Sequence, residues 1–211
     1  KTLGSAIYTA STLRAFLHAP RVETAHYFKL LDPAFMGLIG TVDNEFRPNA
    51  SYYALALYTR HFGDTLIESS ADSPTYNSTA LGMVAAVQNV PWLEVAASRN
   101  TTDNSLRLII INRHFDSPME TTINLADFSP ASSATLHTLT GPSIDANTGT
   151  ELLQVPGLDW ARQATAKNGR FTRGAPSEIT LTESTINIPA AEFTHTFPPR
   201  SITALIINRA D

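Results

Sequence analysis

The hydrophobic period of the chain changes at Gly63. Before it, apolar residues recur at three- and four-residue spacing, as in Leu3, Ile7, Ala10, Leu13 and Leu17, which is the pattern of a helix with one packed face. After it, short alternating segments separated by turn clusters take over, which is the pattern of strands. A chain of 211 residues can bury a sizeable core as one domain or as one domain joined to part of another. The change of period points to the second arrangement, with residues 1–63 as one unit and 64–211 as the other. Lys1 leads straight into the apolar stripe with no cap, turn or strand before it, so the chain is expected to enter in the middle of a fold.

Within the first unit, the spacing predicts a helix from Thr2 to Leu17 that stops before Pro20, because proline lacks a donor and disfavours helical geometry in its predecessor. A second helix is expected to start near Arg21 or Val22, with Val22, Ala25, Phe28 and Lys29 with Leu30 as its apolar face. The run Leu30, Leu31, Phe35, Met36, Leu38 and Ile39, entered through Asp32-Pro33, reads as a strand buried on both faces. A polar loop from Thr41 to Arg47 follows. Pro48-Asn49-Ala50-Ser51 then supplies a helix start, the helix runs from Tyr52 to His61 or Phe62, and Gly63 is expected to be its left-handed stop. Helix, strand, helix is the end of an α/β repeat and is too short to close a barrel by itself.

The second unit reads as strands at 65–69, 93–98, 106–111, 119–125, 134–139, 178–181, 185–188 and 201–207. Alternation is clearest where Met119, Thr121, Ile123 and Leu125 interleave with Glu120, Thr122 and Asn124. Many short strands with turn signals between them imply a sandwich. The fold class is therefore mainly β: an antiparallel, jelly-roll-like C-terminal β-sandwich preceded by the last helix-strand-helix elements of a (β/α)8 barrel.

Composition removes several functions. A formal net charge of −4 with no Lys/Arg run lacks the footprint of a nucleic-acid binder. No apolar stretch reaches the ~20 residues that span a bilayer. With no cysteine, thiolate nucleophiles, zinc-thiolate sites and disulfides are impossible. The six histidines show no ligand spacing on one face, so neither a metal nor a cofactor is expected. There is no Gly-x-Ser-x-Gly elbow and no phosphate-binding glycine loop. Sequons at Asn49, Asn77 and Asn100 in a Ser/Thr-rich chain lean toward a secreted or extracellular glycoprotein.

Ala19-Pro20-Arg21-Val22-Glu23-Thr24-Ala25-His26-Tyr27-Phe28-Lys29-Leu30-Leu31-Asp32 resembles the ADRV..A...QLVN segment that closes the (β/α)8 barrel of family 51 glycoside hydrolases, the α-L-arabinofuranosidases. The stretch from Tyr52-Tyr53-Ala54-Leu55 to His61-Phe62-Gly63-Asp64 resembles their last barrel helix. Phe46-Arg47-Pro48 and Tyr52-Tyr53 also find counterparts in the β-glucuronidase and heparanase-like enzymes of family 79. Leu139-Thr140-Gly141-Pro142 to Asp145-Ala146-Asn147-Thr148 and Phe197-Pro198-Pro199-Arg200-Ser201-Ile202 are similar to turns of the appended sandwich.

The resemblance implies a retaining glycosidase acting on plant-type or other polysaccharides. Both catalytic glutamates would lie upstream, so no catalytic residue is assigned in this chain. Its partners would be a carbohydrate substrate and the upstream catalytic-barrel segment of the same parent protein. Asp32 is a candidate substrate contact, or alternatively a turn residue before Pro33. Lys29 stands where the family pattern has a glutamine that contacts the sugar, or is a solvated side chain. Phe35 either lines the sugar site or packs in the core, and Trp160, in a turn-rich stretch, could stack on a sugar ring. The competing reading is a carbohydrate-binding or interaction sandwich without catalysis.

Overall fold

The computed structural model describes residues 2–32, 37–42, 45–147 and 177–210. Helix α1 spans Leu3–His18, and Thr2 is its N-cap, with Thr2 Oγ1 accepting from Ser5 N at 3.3 Å. The apolar stripe therefore has the cap that the sequence reading denied it. Leu3, Ala6, Ile7 and Ala10 are buried, while Leu17 at the far end is exposed.

No second helix follows. Arg21 takes a left-handed φ of 72°, which turns the chain after Pro20, and 22–30 runs without regular structure. Val22, Phe28 and Leu30 lie exposed, so the apolar face expected there has no partner among the described residues. The expected long strand is two short ones: β1 (Leu31–Asp32) lies parallel to β2 (Ile39–Val42). The expected polar loop is half of a hairpin, because β3 (Glu45–Pro48) pairs antiparallel with β2 from Ile39↔Pro48 to Val42↔Glu45.

Helix α2 spans Ala50–His61. It ends at Phe62 in extended geometry (φ −86°, ψ 148°), and Gly63 does not adopt the left-handed conformation expected of it. Glycine is needed there for another reason: a Cβ at position 63 would overlap the Arg99 carbonyl. Gly63 N also donates to Ser98 Oγ at 2.7 Å.

Among the described residues ten strands follow: β4 (Thr65–Ile67), β5 (Thr75–Ser78), β6 (Val87–Pro91), β7 (Leu93–Arg99), β8 (Leu106–Asn112), β9 (Met119–Asn124), β10 (Pro130–Thr140), β11 (Thr180–Asn187), β12 (Glu192–Phe197) and β13 (Ser201–Arg209). Six of them form one antiparallel sheet in the order β11-β10-β13-β8-β7-β4, and β9 pairs with β12 as a separate two-stranded layer. The segments 178–181 and 185–188 are thus parts of one strand, β11, whose exposed Thr-Glu-Ser-Thr run lies on the sheet edge. The expected alternation on β9 is present, with Ile123 and Leu125 buried and Glu120, Thr122 and Asn124 exposed.

Alternation along the central strands feeds two cores. Ile109, Ile111, Leu139, Ile202 and Ala204 face α1 and α2, where they meet Leu3, Ala6, Ile7, Ala54 and Leu57. Leu106, Leu108, Ile110, Leu136, Leu205 and Ile207 face the other way, onto Ile123, Phe193 and Phe197 of the β9–β12 layer. Fully buried side chains such as Leu3 and Leu57 each contribute on the order of 1.5–3 kcal/mol through removal from water. The fold is mainly β, a sandwich with a helical layer on its outer face.

Charge also joins helix to sheet. Glu94 on β7 receives Arg113 Nη2 at 2.9 Å and Arg14 Nη1 of α1 at 3.5 Å, and Arg14 Nε donates to Val95 O at 2.8 Å. Tyr58 of α2 donates its hydroxyl to Ala10 O at 2.9 Å, and burial pushes that phenol well above its ordinary range.

Candidate functional site

The end of β1 carries the only buried carboxylate among the described residues, Asp32. Three backbone hydrogen bonds set its position. Leu38 N donates to Lys29 O at 3.0 Å, Ile39 N to Leu30 O at 2.8 Å and Asn49 N to Leu38 O at 2.8 Å. They bind the irregular segment before β1 to β2, and β2 to the start of α2. Gly37 sits against the acid so closely that a Cβ would lie 2.6 Å from Asp32 N and 2.7 Å from Asp32 Cβ. No larger residue fits there without moving the backbone.

Lys29 and Asp32, singled out separately from the sequence, meet: Lys29 Nζ lies 3.3 Å from Asp32 Oδ1, with the acid buried and the lysine half-exposed. A carboxylate can accept hydrogen bonds from hydroxyls, while the lysine brings three donors. The pair can therefore bind and orient a polyhydroxylated ligand. It cannot perform double displacement, which needs two carboxyl groups ~5–5.5 Å apart.

Phe35 and Trp160 lie outside the described residues. Asn77 is exposed on β5, and Asn100 is half-buried in the turn after β7, with Oδ1 accepting from Thr102 N at 2.9 Å. Asn49 departs from expectation twice. It holds the N-cap position of α2, yet its side chain caps nothing; instead Nδ2 donates to Gly37 O at 2.8 Å and the residue is buried. An amide nitrogen enclosed in that way is not open to a glycan, so this sequon is a positioning element for Gly37 and Asp32. The sequence signalled only its cap, because the bond to Gly37 bridges separate elements.

Beside this region, Thr2, Ser5, Tyr8, Thr9, Tyr27 and Ser51 line an open cleft of ≈ 440 Å³ between the starts of α1 and α2. Thr9 Oγ1 donates to Ser51 Oγ at 3.1 Å, which fixes the two helix starts together. A larger groove of ≈ 720 Å³ lies between the six-stranded sheet and β9, floored by Leu93, Val95, Leu106, Leu108 and Phe197. Its lining is largely aliphatic, with Phe128 and Phe197 as the aromatic side chains.

A six-stranded antiparallel sheet with helices on one face, preceded by a parallel strand pair ending in a buried acid, defines a β-sandwich domain that carries α/β elements at its N-terminal side. The chain belongs to the α-L-arabinofuranosidase C-terminal domain family, whose model matches residues 1–172. Of the two enzyme families that the residues resemble, this match selects the arabinofuranosidases.

Solved structures share the fold. An α-L-arabinofuranosidase from Thermotoga maritima, determined with arabinose, gives a TM-score of 0.79 at 24% identity over 99% of this chain and 39% of that one. The thermostable family 51 α-L-arabinofuranosidase from Thermotoga petrophila RKU-1 gives 0.78 at 23% identity, covering 99% and 39%. A family 44 xyloglucanase from Paenibacillus polymyxa gives 0.55 at 18% identity, covering 98% and 29%. The chain thus spans about two fifths of the length of the arabinofuranosidases it matches. No curated protein matches it.

Proposed function

We propose that this chain is the C-terminal portion of a retaining glycoside hydrolase that releases α-L-arabinofuranosyl groups from plant polysaccharides. The observation that carries the reading is the family match over residues 1–172. In this reading residues 1–63 complete a catalytic (β/α)8 barrel, and residues 64–211 form the sandwich that braces it. The upstream segment supplies the two carboxyl groups. One attacks the anomeric carbon to form a glycosyl-enzyme while the other protonates the leaving oxygen, and water then releases the sugar with that second group acting as base.

Lys29 and Asp32 belong to the wall of the sugar site. Active sites of such barrels lie at the carboxyl ends of the strands, and Asp32 is the last residue of β1. The Asp32 carboxylate accepts a sugar hydroxyl, and Lys29 holds that carboxylate in place. The protein is secreted, with Asn77 and Asn100 as its glycan acceptors.

Assay of the full-length secreted protein on an aryl α-L-arabinofuranoside tests this, with product stereochemistry read by NMR and glycans by intact mass. Hydrolysis with retention is expected, and Asp32→Asn should lower kcat/KM by roughly tenfold to a hundredfold, the equivalent of ~1.4–2.8 kcal/mol of transition-state binding. Absence of furanosidase activity in the full-length protein overturns the reading. Unchanged kinetics in a folded Asp32→Asn variant removes the substrate-contact role.

A further inference from the structure

The last turn of α2 meets the sheet through two histidines. The rings of His61 on α2 and His137 on β10 stack with centroids 3.8 Å apart and planes 18° from parallel. His137 is largely enclosed, its side chain 15% exposed, and His61 is half-buried. Stacked neutral imidazoles attract one another as other aromatic pairs do. Stacked imidazolium rings place two positive charges within 4 Å, where no water layer separates them.

The charges around the pair come from every element that packs on it. Arg60 precedes His61 on α2, Arg107 reaches the site from β8, and both disfavour a proton on His61. Among the described residues Glu183 on β11 is the carboxylate that faces the pair, with Oε2 3.7 Å from His137 Nδ1, and it lies 72% exposed, where water and salt weaken its hold. One carboxylate can offset one proton on the stack. It cannot offset two, and Asp103, the acid nearest Arg107, is already engaged with that arginine at 2.7 Å.

We propose that the His61–His137 stack is a proton-operated clamp between α2 and the sheet, closed while the rings are neutral and forced apart when both carry charge. Opening would release the end of α2, including Tyr58 and the Phe62–Gly63 exit into β4, from the face made by β10 and β8. The device would loosen the junction between the helical layer and the sandwich in acid and restore it near neutrality. Burial first, then the charges of His137, Arg107 and Arg60, hold the His61 imidazole below its ordinary value of 6.5. The folded state therefore binds fewer protons there than the unfolded chain. The clamp's contribution is fully present above 6.5 and is lost as pH falls through the lower folded-state midpoint.

The test uses the intact protein. Imidazole C–H resonances are followed by NMR from about pH 8 down to about pH 5, which brackets an ordinary histidine. His61 should titrate below 6.5, and His137→Gln should move that midpoint upward. Amide exchange in the last turn of α2, corrected for intrinsic pH dependence, should quicken several-fold toward acid in the native protein and much less in His137→Gln. A His61 midpoint at or above its ordinary value overturns the proposal even if no variant folds. Acid-quickened exchange that survives unchanged in both His61→Gln and His137→Gln overturns it as well.

Discussion

Gly63 shows how one atom decides a junction. Its backbone N–H is held by Ser98 Oγ at 2.7 Å, and its α-carbon faces the Arg99 carbonyl with no room for a methyl group. Gly63→Ala should therefore push the end of α2 away from the β7–β8 turn and destabilise the fold by ~2–3 kcal/mol, as overpacking against backbone does. Chemical denaturation of the pair of proteins measures it; a loss of only a few tenths would show that the junction gives way freely. The sequence pattern singles out Gly63 as a left-handed helix stop; α2 does end just before it, at Phe62, but without that conformation. A left-handed helix stop is a local property that a residue type can announce, whereas closeness to residue 99 is a property of the folded chain. Asn49 repeats the lesson, since its cap position is legible and its bond to Gly37 is not. Lys29 and Asp32 stand out separately in the sequence, but their ion pair does not, because it joins irregular backbone at Lys29, where a helix is expected, to the end of β1 at Asp32.

Among the elements, the β5–β6 hairpin is the most loosely attached. It is a two-stranded ribbon of its own, and such a ribbon is marginally stable in isolation. What fastens it is a knot of rings at its base: Tyr76 stacks on Trp92 at 3.9 Å, and Trp92 in turn meets His114 at 4.6 Å and Phe115 at 5.9 Å. Trp92 N also donates to Pro74 O at 2.9 Å, and Ser73 Oγ accepts from Leu93 N at 2.9 Å. Trp92→Ala should raise amide exchange across 75–91 by about tenfold or more while β8 and β13 keep their protection, because the hairpin opens as a local unit. Equal loss across all strands would show instead that Trp92 holds the main core. The sequence pattern does not announce this hairpin. Its strands lack continuous apolar alternation, and the tip residues Leu81, Met83 and Val84 stand exposed. β12 was missed for a different reason: Phe193, His195 and Phe197 do alternate, but the Pro-Pro turn after them drew the assignment toward β13. Of the strands expected from sequence, β7, β8, β9, β10 and β13 have a period that reports directly on a buried face, whereas β4 and β11 lie on the sheet edges and are largely exposed.

Taken whole, the molecule does not divide energetically where its sequence pattern does. Ile109, Ile111, Leu139 and Ile202, all from the strand-rich part, are fully buried and share a cluster with Leu3, Ala54 and Leu57 of the helices. Expressing residues 64–211 without the helices should give a protein that binds hydrophobic dye and self-associates, since a contiguous apolar face is uncovered. Light scattering and thermal melting check this; a monomer with a sharp transition would make the helical layer dispensable. The fold class could be foreseen because alternation and turn spacing are local. The sharing of one sheet by two cores could not, because it depends on which strands become neighbours.

That sheet order also fixes a sequence of events. β13, formed by residues 201–209, lies between β10 and β8, so until those nine residues leave the ribosome the sheet exists only as two separate pieces, β10 with its edge partner and β8 with β7 and β4. Synthesis of the residues that precede β13 therefore yields no finished sheet. The nascent chain must carry its exposed isoleucines and open strand edges until then, the period in which chaperone occupancy matters most.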